Sequence, residues 1–130
     1  MNTEIAQLEP KALWKHFVDL NAVPRPSKKE EEVIAFMKAF GASLSLEVTQ
    51  DPIGNVLITK PASPGMENRK TIVMQSHLDM VHQKNNATDF DFTTQGIQMK
   101  IDEDWVKAKG TTLGADNGIG VATIMAILSS

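Results

Sequence analysis

The chain has no cysteine, and its 13 basic residues are nearly balanced by 16 acidic ones, which leaves a net charge of −3. Without thiolates a disulfide framework is excluded, and any bound metal must be held by imidazole and carboxylate groups. The basic residues are scattered, so there is no electrostatic footprint for DNA, RNA or an anionic membrane. No apolar run approaches the roughly 20 residues of a membrane span, and the N-terminus lacks a signal-peptide pattern. We therefore expect a cytoplasmic protein with neither nucleic-acid nor membrane partners.

Enough apolar material is present for a core. The 130 residues lie within the usual size range of one domain, and 42% of them are hydrophobic. Helical and strand-like patterns alternate along the chain, which predicts an α/β fold that includes β-hairpins. Residues 1–130 are expected to form one domain or a portion of one.

Two helices are predicted in the first third of the chain. Pro10 suits a first helical position, and apolar residues recur at helical spacing as far as Leu20. The second helix is predicted to follow Ser27-Lys28-Lys29-Glu30, which matches a capping box, and to end before Gly41 as its C′ residue.

The middle of the chain shows the two-residue alternation of strands. Residues 44–48 and Val56–Thr59 flank a turn at residues 51–55, which predicts a hairpin, and residues 97–101 and 105–108 predict a second one. Between the hairpins, the apolar stretch Thr71–Ser76 predicts a central strand. Residues 82–98 read as a long loop, a feature that is often functional.

The last predicted helix, residues 118–128, is apolar on almost every side. This pattern is typical of a helix buried between a sheet and other elements. The residues that follow do not supply cover on both of its sides. We therefore expect the chain to be the front part of a longer protein.

Candidate metal ligands stand at two places. His77 and Asp79 follow the predicted central strand and, being two residues apart, point to the same side, so that the imidazole could bind a metal while the carboxylate orients it. Asp116 lies in a glycine-rich turn, and its two oxygens could bridge two cations. His82 is close enough in sequence to reach a metal, although a loop histidine is more often a substrate or solvent contact.

Other interpretations of these residues stay open at this point. His77 can be a buried, hydrogen-bonded histidine beside a turn-capping Asp79. Asp116 or Asn117 can simply cap the helix that follows. The glycines at 118 and 120 also resemble part of a dinucleotide-binding turn, but Thr123 stands where the third glycine would be and no good parallel strand precedes them.

Three segments resemble the bacterial Xaa-His dipeptidases, also called aminoacyl-histidine dipeptidases or carnosinases. They are residues 65–70, residues 75–81 with 83–85, and residues 105–120, the last of which include the specific string Gly-Thr-Thr-Leu-Gly-Ala-Asp-Asn-Gly-Ile-Gly. The resemblance covers nearly the whole chain. It implies the N-terminal part of a three-layer α/β/α zinc-peptidase catalytic domain with a mixed sheet, the rest of that domain and a lid domain lying outside this chain.

The resemblance also implies an activity and a site. The full-length protein would be a cytosolic metallodipeptidase that uses two divalent metal ions, zinc first and cobalt or manganese as alternatives. His77 would be a ligand of one metal, Asp116 the bridging ligand, with a cis peptide after it, and Asp79 the catalytic carboxylate that orients the site. The general base would be one glutamate of a Glu-Glu pair beyond residue 130. Residues 1–130 alone would therefore be inactive.

The expected partner is a dipeptide substrate, and a homodimer through the lid domain is a further expectation. Two other functions remain open. A tripeptidase or an N-acyl amino-acid deacylase of the same clan would share His77, Asp79 and Asp116. A non-enzymatic binding module on the same fold is the other alternative, since the remaining ligands and the base lie outside this chain.

Overall fold

The computed structural model describes residues 2–130, and within them three helices and two β-hairpins make up the regular structure, together with a 3-10 turn at Ile5–Gln7. In chain order the elements are α1 Lys11–Asn21, α2 Glu31–Ser43, β1 Glu47–Gln50, β2 Val56–Thr59, β3 Met99–Asp102, β4 Trp105–Ala108 and α3 Ala115–Leu128.

The first helix agrees closely with its prediction. Pro10 precedes it as the N-cap, in an extended conformation, and α1 runs on to Asn21. Phe17 and Leu20 are completely buried on one face, as the helical spacing of apolar residues requires.

The second helix is present where it was predicted, but both of its predicted ends are wrong. Glu30 is the N-cap and makes no side-chain capping bond, and its carboxylate instead accepts the N–H of Lys28. The hydroxyl of Ser27 bonds to Asp79 and does not cap the helix either. Gly41 lies inside α2 and is buried there. A Cβ at this position would come within 2.5 Å of a Val48 methyl group, so glycine allows the β1-β2 hairpin to lie against the helix.

Both predicted hairpins are confirmed. Strands β1 and β2 pair antiparallel, with Glu47 opposite Thr59, and β3 pairs with β4, with Met99 opposite Ala108. Strand β1 begins later than the alternation suggested, because Leu44 still forms the C-cap of α2. Residues 82–98 contain no helix or strand before β3, in agreement with the predicted loop.

The prediction of a central strand at Thr71–Ser76 is wrong for this structure. No strand among residues 2–130 pairs with this segment, and the two sheets that form are two-stranded hairpins, without a mixed sheet. The side chains that should have been buried are in solvent, since Ile72 is 80% and Val73 83% exposed. A strand needs a neighbour to satisfy its backbone groups, and the described residues offer none here.

The core lies mainly between α1 and α3. One cluster of buried residues joins α1, the 3-10 turn, β3 and α3, and it contains Ile5, Phe17, Met80, Ile97, Met99 and Ala122. A second cluster joins α1, α2 and α3 through Leu20, Val33, Met37, Val121 and Met125. Within residues 2–130, no helix combines the length and the apolar character needed to cross a lipid bilayer.

Candidate metal centre

The structure brings His77, Asp79 and Asp116 together at one surface site. The Nε2 atom of His77 lies 3.1 Å from Oδ1 of Asp116, and its Nδ1 atom lies 3.1 Å from Oδ1 of Asp79. Nδ1 is also 3.0 Å from the backbone oxygen of Asp79. Residues from two segments 39 positions apart therefore meet at one imidazole ring.

Every polar atom that faces the His77 ring is an acceptor. Because oxygens of Asp79 face Nδ1 and an oxygen of Asp116 faces Nε2, both nitrogens make a hydrogen bond only when both are protonated. The contact with Asp116, followed by those with Asp79, accordingly raises the pKa of His77 above its ordinary value, against partial desolvation. A cation bound at Nε2 would take the place of that proton.

The turn that carries Asp116 leaves this carboxylate exposed to solvent. Gly114 adopts the left-handed conformation with φ of 77°, and the Asp116-Asn117 peptide is cis, as the resemblance implied. Asn117, and not Asp116, caps the regular part of α3, since its Oδ1 atom accepts the N–H of Gly120 at 3.1 Å. The Asp116 side chain is 98% exposed. Capping is thus the role of Asn117.

The dinucleotide-binding interpretation fails on topology. The strand before Gly118 is β4, which belongs to an antiparallel hairpin, whereas the dinucleotide turn follows a parallel strand. The exposed carboxylate of Asp116 at the start of the helix would also repel a pyrophosphate.

Ser27 is a site residue that the sequence interpretation missed. Its hydroxyl donates to Oδ2 of Asp79 at 2.5 Å, which leaves Oδ1 of the same carboxylate facing His77. This bond is the main reason why the pKa of Asp79 is lowered, with the nearby His77 acting in the same direction and desolvation against it. The only signal in the sequence was Ser27 itself, which matched a helix cap equally well.

The donor atoms present suit a divalent metal ion, although they do not complete its coordination. Imidazole nitrogen and carboxylate oxygen are ordinary zinc ligands, and two donors on one tetrahedral zinc are about 3.3 Å apart, given bonds of about 2.0–2.1 Å. The 3.1 Å between His77 Nε2 and Asp116 Oδ1 is close to that separation. Asp79 lies at the other ring nitrogen of His77, and within residues 2–130 no group of three or more His, Asp or Glu side chains is arranged to hold one metal ion.

The other two histidines do not join this site in the structure. His82 is in edge contact with the ring of Phe92, with 5.6 Å between ring centroids. His16 lies at the boundary of the core, in edge contact with Phe40 and 3.2 Å from the Ser129 hydroxyl.

His16 and His77 should titrate on opposite sides of the ordinary histidine value. Burial, and then Lys15, lowers the pKa of His16 below 6.5, whereas Asp116 raises that of His77 above 6.5. By linkage, the contribution of His77 to stability is present below pH 6.5 and is lost as the pH rises through its folded pKa. The contribution of His16 depends on pH in the opposite way. It is present above pH 6.5 and is lost as the pH falls through the lowered pKa of the folded state. NMR titration of the metal-free chain measures both values directly.

An Asp116→Asn variant is the control for that titration. It should move the midpoint of His77 down while leaving that of His16 unchanged, because Asp116 contacts only the former ring. A His77 midpoint at or below 6.5 would contradict the geometry of the site.

No protein-family model matches the chain. The cytosol non-specific dipeptidase of Escherichia coli (strain K12) is 50% identical over 127 residues, which are 98% of this chain and 26% of that protein. The crystal structure of aminoacylhistidine dipeptidase from Vibrio alginolyticus superposes with a TM-score of 0.94 at 52% identity, and the match covers 97% of this chain and 26% of that one. The chain therefore spans about a quarter of the length of these two relatives.

The resemblance to the bacterial Xaa-His dipeptidases is thus confirmed over nearly the whole chain. A tripeptidase from Staphylococcus aureus matches with a TM-score of 0.68 at 18% identity, covering 93% of this chain and 32% of that one. At that identity the likeness concerns the fold alone. Together the structural matches confirm the α/β fold class, with this chain corresponding to part of a larger peptidase fold.

Proposed function

We propose that this chain, similar to one quarter of a dipeptidase, supplies the first half of the metal site of a cytoplasmic metallodipeptidase. The substrate would be an unblocked dipeptide, with Xaa-His dipeptides as the first class to test. The observation that carries the proposal is the convergence of His77, Asp79 and Asp116 in a chain that is 50% identical to a cytosol dipeptidase.

Each of the three side chains has a separate role in this proposal. His77 would bind one divalent ion through Nε2, and Asp116 would bridge to a second through its exposed carboxylate. Two such ions, with zinc first and cobalt or manganese as alternatives, would polarise the peptide carbonyl and make a water molecule nucleophilic at neutral pH. Asp79 would hold His77 by accepting a hydrogen bond from Nδ1–H, which keeps Nε2 directed at the metal.

The general base and the remaining ligands are proposed to lie beyond residue 130, in a protein of the relatives' length. The base would be a glutamate that takes a proton from the attacking water and later gives one to the leaving amine. Residues 1–130 contribute the orientation of two ligands but no base. A lid domain outside this chain would read the ends of the substrate and form a homodimer.

Calorimetry with zinc should show weak or no binding to the 130-residue chain. A closed zinc site uses four protein ligands and a catalytic one three, whereas this chain offers His77 and Asp116. An Asp116→Ala variant should then give heats that differ little from those of the unmodified chain. A tight isotherm with two metals per chain would contradict the incomplete site.

A chimera tests the proposed activity itself. Residues 1–130 replace the matching quarter of the Escherichia coli cytosol non-specific dipeptidase, to which this chain is 50% identical. If the two half-sites are equivalent, the chimera loaded with zinc should hydrolyse dipeptides at a rate within about tenfold of the parent, which corresponds to about 1.4 kcal/mol. A folded, metal-loaded chimera without turnover would count against the proposal.

A substrate panel separates the dipeptidase from its alternatives. A dipeptide, a tripeptide and an N-acyl amino acid should be compared at equal concentration in the chimera and the parent. Any difference in substrate preference between the chimera and the parent would then come from residues 1–130, because the two proteins share the rest of their sequence. Metal-dependent turnover of any of the three would exclude a module that only binds partners.

A further inference from the structure

Arg25 is buried between the two segments that carry the metal-site residues. It lies between Pro24 and Pro26 in the connection from α1 to α2, and only 1% of it is exposed. Its Nη1 atom donates to the backbone oxygen of Leu78 at 3.1 Å, and its Nη2 atom donates to that of Gly114 at 2.9 Å. Nη2 also donates to Oδ1 of Asn21 at 2.7 Å.

The two carbonyls that Arg25 joins lie within two residues of the candidate ligands. Leu78 stands between His77 and Asp79, and Gly114 is two residues before Asp116. The backbone oxygen of Arg25 also accepts the N–H of Met80 at 3.0 Å, so a second hydrogen bond holds the segment of residues 77–80. One side chain therefore connects the backbones on both sides of the site.

The position of the guanidinium group also explains why glycine stands at positions 114 and 118, on either side of Asp116. A Cβ atom at either Gly114 or Gly118 would lie 2.7 Å from Nη2 of Arg25, which is closer than real contacts allow. Gly114 needs glycine for its positive φ as well, but Gly118 does not. At Gly118 the absence of a side chain is therefore explained by the space that Arg25 occupies, together with the Phe17 ring at 3.0 Å.

Stability alone is a poor reason to bury this cation. None of the ion pairs among residues 2–130 includes Arg25, and its Nε atom has no hydrogen-bond partner. Desolvation lowers the pKa of Arg25 to about 10, against the opposing influence of the Asp79 charge. Burying a charge without an ionic partner is costly, and the best-attested use of buried charged groups is to specify one arrangement.

We propose that Arg25 is a positioning residue, which holds His77 and Asp116 at ligand separation by joining the backbones of Leu78 and Gly114. That this separation serves metal binding rests on the proposed function. The effect of Arg25 on the separation itself can be tested without measuring any activity. Arg25 touches neither metal nor substrate in this proposal and acts only through the two segments.

The structural test uses the 130-residue chain. Crystal structures of Arg25→Met and of the matched control Arg69→Met, at the other arginine of the chain, are compared with that of the unmodified chain. In Arg25→Met the 3.1 Å between His77 Nε2 and Asp116 Oδ1 should increase by about 1 Å or more, while Arg69→Met, at an exposed position, should keep it. An unchanged separation in a folded Arg25→Met chain would overturn the proposal.

Two milder variants keep the test decisive if Arg25→Met does not fold. Arg25→Lys retains the charge but loses the planar fork that reaches both carbonyls. Gly118→Ala retains the arginine at position 25, but the new methyl group would displace its guanidinium. This variant should therefore also separate His77 from Asp116. The contact of the new methyl group with Phe17 is the same in both backgrounds. Gly118→Ala should therefore lower the free energy of unfolding less in an Arg25→Lys chain than in the original chain. Strictly additive losses of unfolding free energy would contradict a shared mechanism.

Kinetics of the chimera give a readout that a purely structural role would not move. For Arg25→Met, kcat per folded, metal-loaded molecule should fall about a hundredfold with KM little changed, because misplacement by about 1 Å has that effect, and Arg25→Lys should recover part of the loss. Equal kcat with reduced thermal stability would overturn the proposal. An inactive unmodified chimera, in contrast, would count against the dipeptidase assignment and leave the structural test of Arg25 intact.

Discussion

Alanine in place of His77 or Asp116 should lower kcat of the chimeric dipeptidase by about a thousandfold or more. The metal contribution to such a reaction is several kcal/mol, and about 4 kcal/mol corresponds to about a thousandfold in rate. Either change removes one of the two donors that lie 3.1 Å apart, so the ion that they share would be lost or misplaced. Turnover measured together with metal content per molecule separates lost binding from lost positioning.

His82→Ala is the matched control for these variants. His82 lies in the adjacent loop, is exposed, and contacts Phe92 instead of the ligand pair. Its removal should leave both metal content and kcat within about twofold, as expected for a surface change of less than about 0.5 kcal/mol. Full activity of His77→Ala or Asp116→Ala, with His82→Ala inactive, would move the metal ligand to the loop and refute the site.

Phe17→Ala should lower the free energy of unfolding of the chain by about 3–5 kcal/mol, the usual cost of deleting a buried aromatic ring. Phe17 has no exposed surface, packs edge-on against Trp14, and lies against Gly118 at the start of α3. Since a whole domain is stable by only about 5–15 kcal/mol, this loss should remove a large share of the chain's stability. Urea denaturation followed by far-UV circular dichroism measures the change.

Trp105→Ala provides the comparison for Phe17→Ala. Trp105 is a larger aromatic residue but is 68% exposed on β4, so its loss should change the unfolding free energy by no more than about 0.5 kcal/mol. If both variants were equally destabilised, the core would not lie between α1 and α3 as the structure has it.

Local patterns predicted the helices and hairpins well, because these elements satisfy their own backbone groups. Helix α2 and the two hairpins were found from apolar spacing and turn residues alone. The interpretation failed where a distant partner competes for a group. Ser27 matched a helix cap, but its hydroxyl bonds to Asp79, 52 residues away, and this preference is invisible in the local sequence.

The candidate site was predicted in part for the same reason. His77, Asp79 and Asp116 carry recognisable chemistry, and the structure does bring them together. Arg25 was missed, since its partners are mainly backbone carbonyls and any residue type can supply those. The available signal was an arginine enclosed by two prolines between the predicted helices.

The unpaired segment Thr71–Ser76 also bears on how the chain behaves in solution. It is six residues long, uncharged, free of proline and rich in β-branched side chains, and Ile72 and Val73 project into water. A row of free backbone groups with such side chains is a template on which a second copy can add a strand. The 130-residue chain should therefore self-associate as its concentration rises. Val73→Lys should keep the chain monomeric, because it places a charge in this segment.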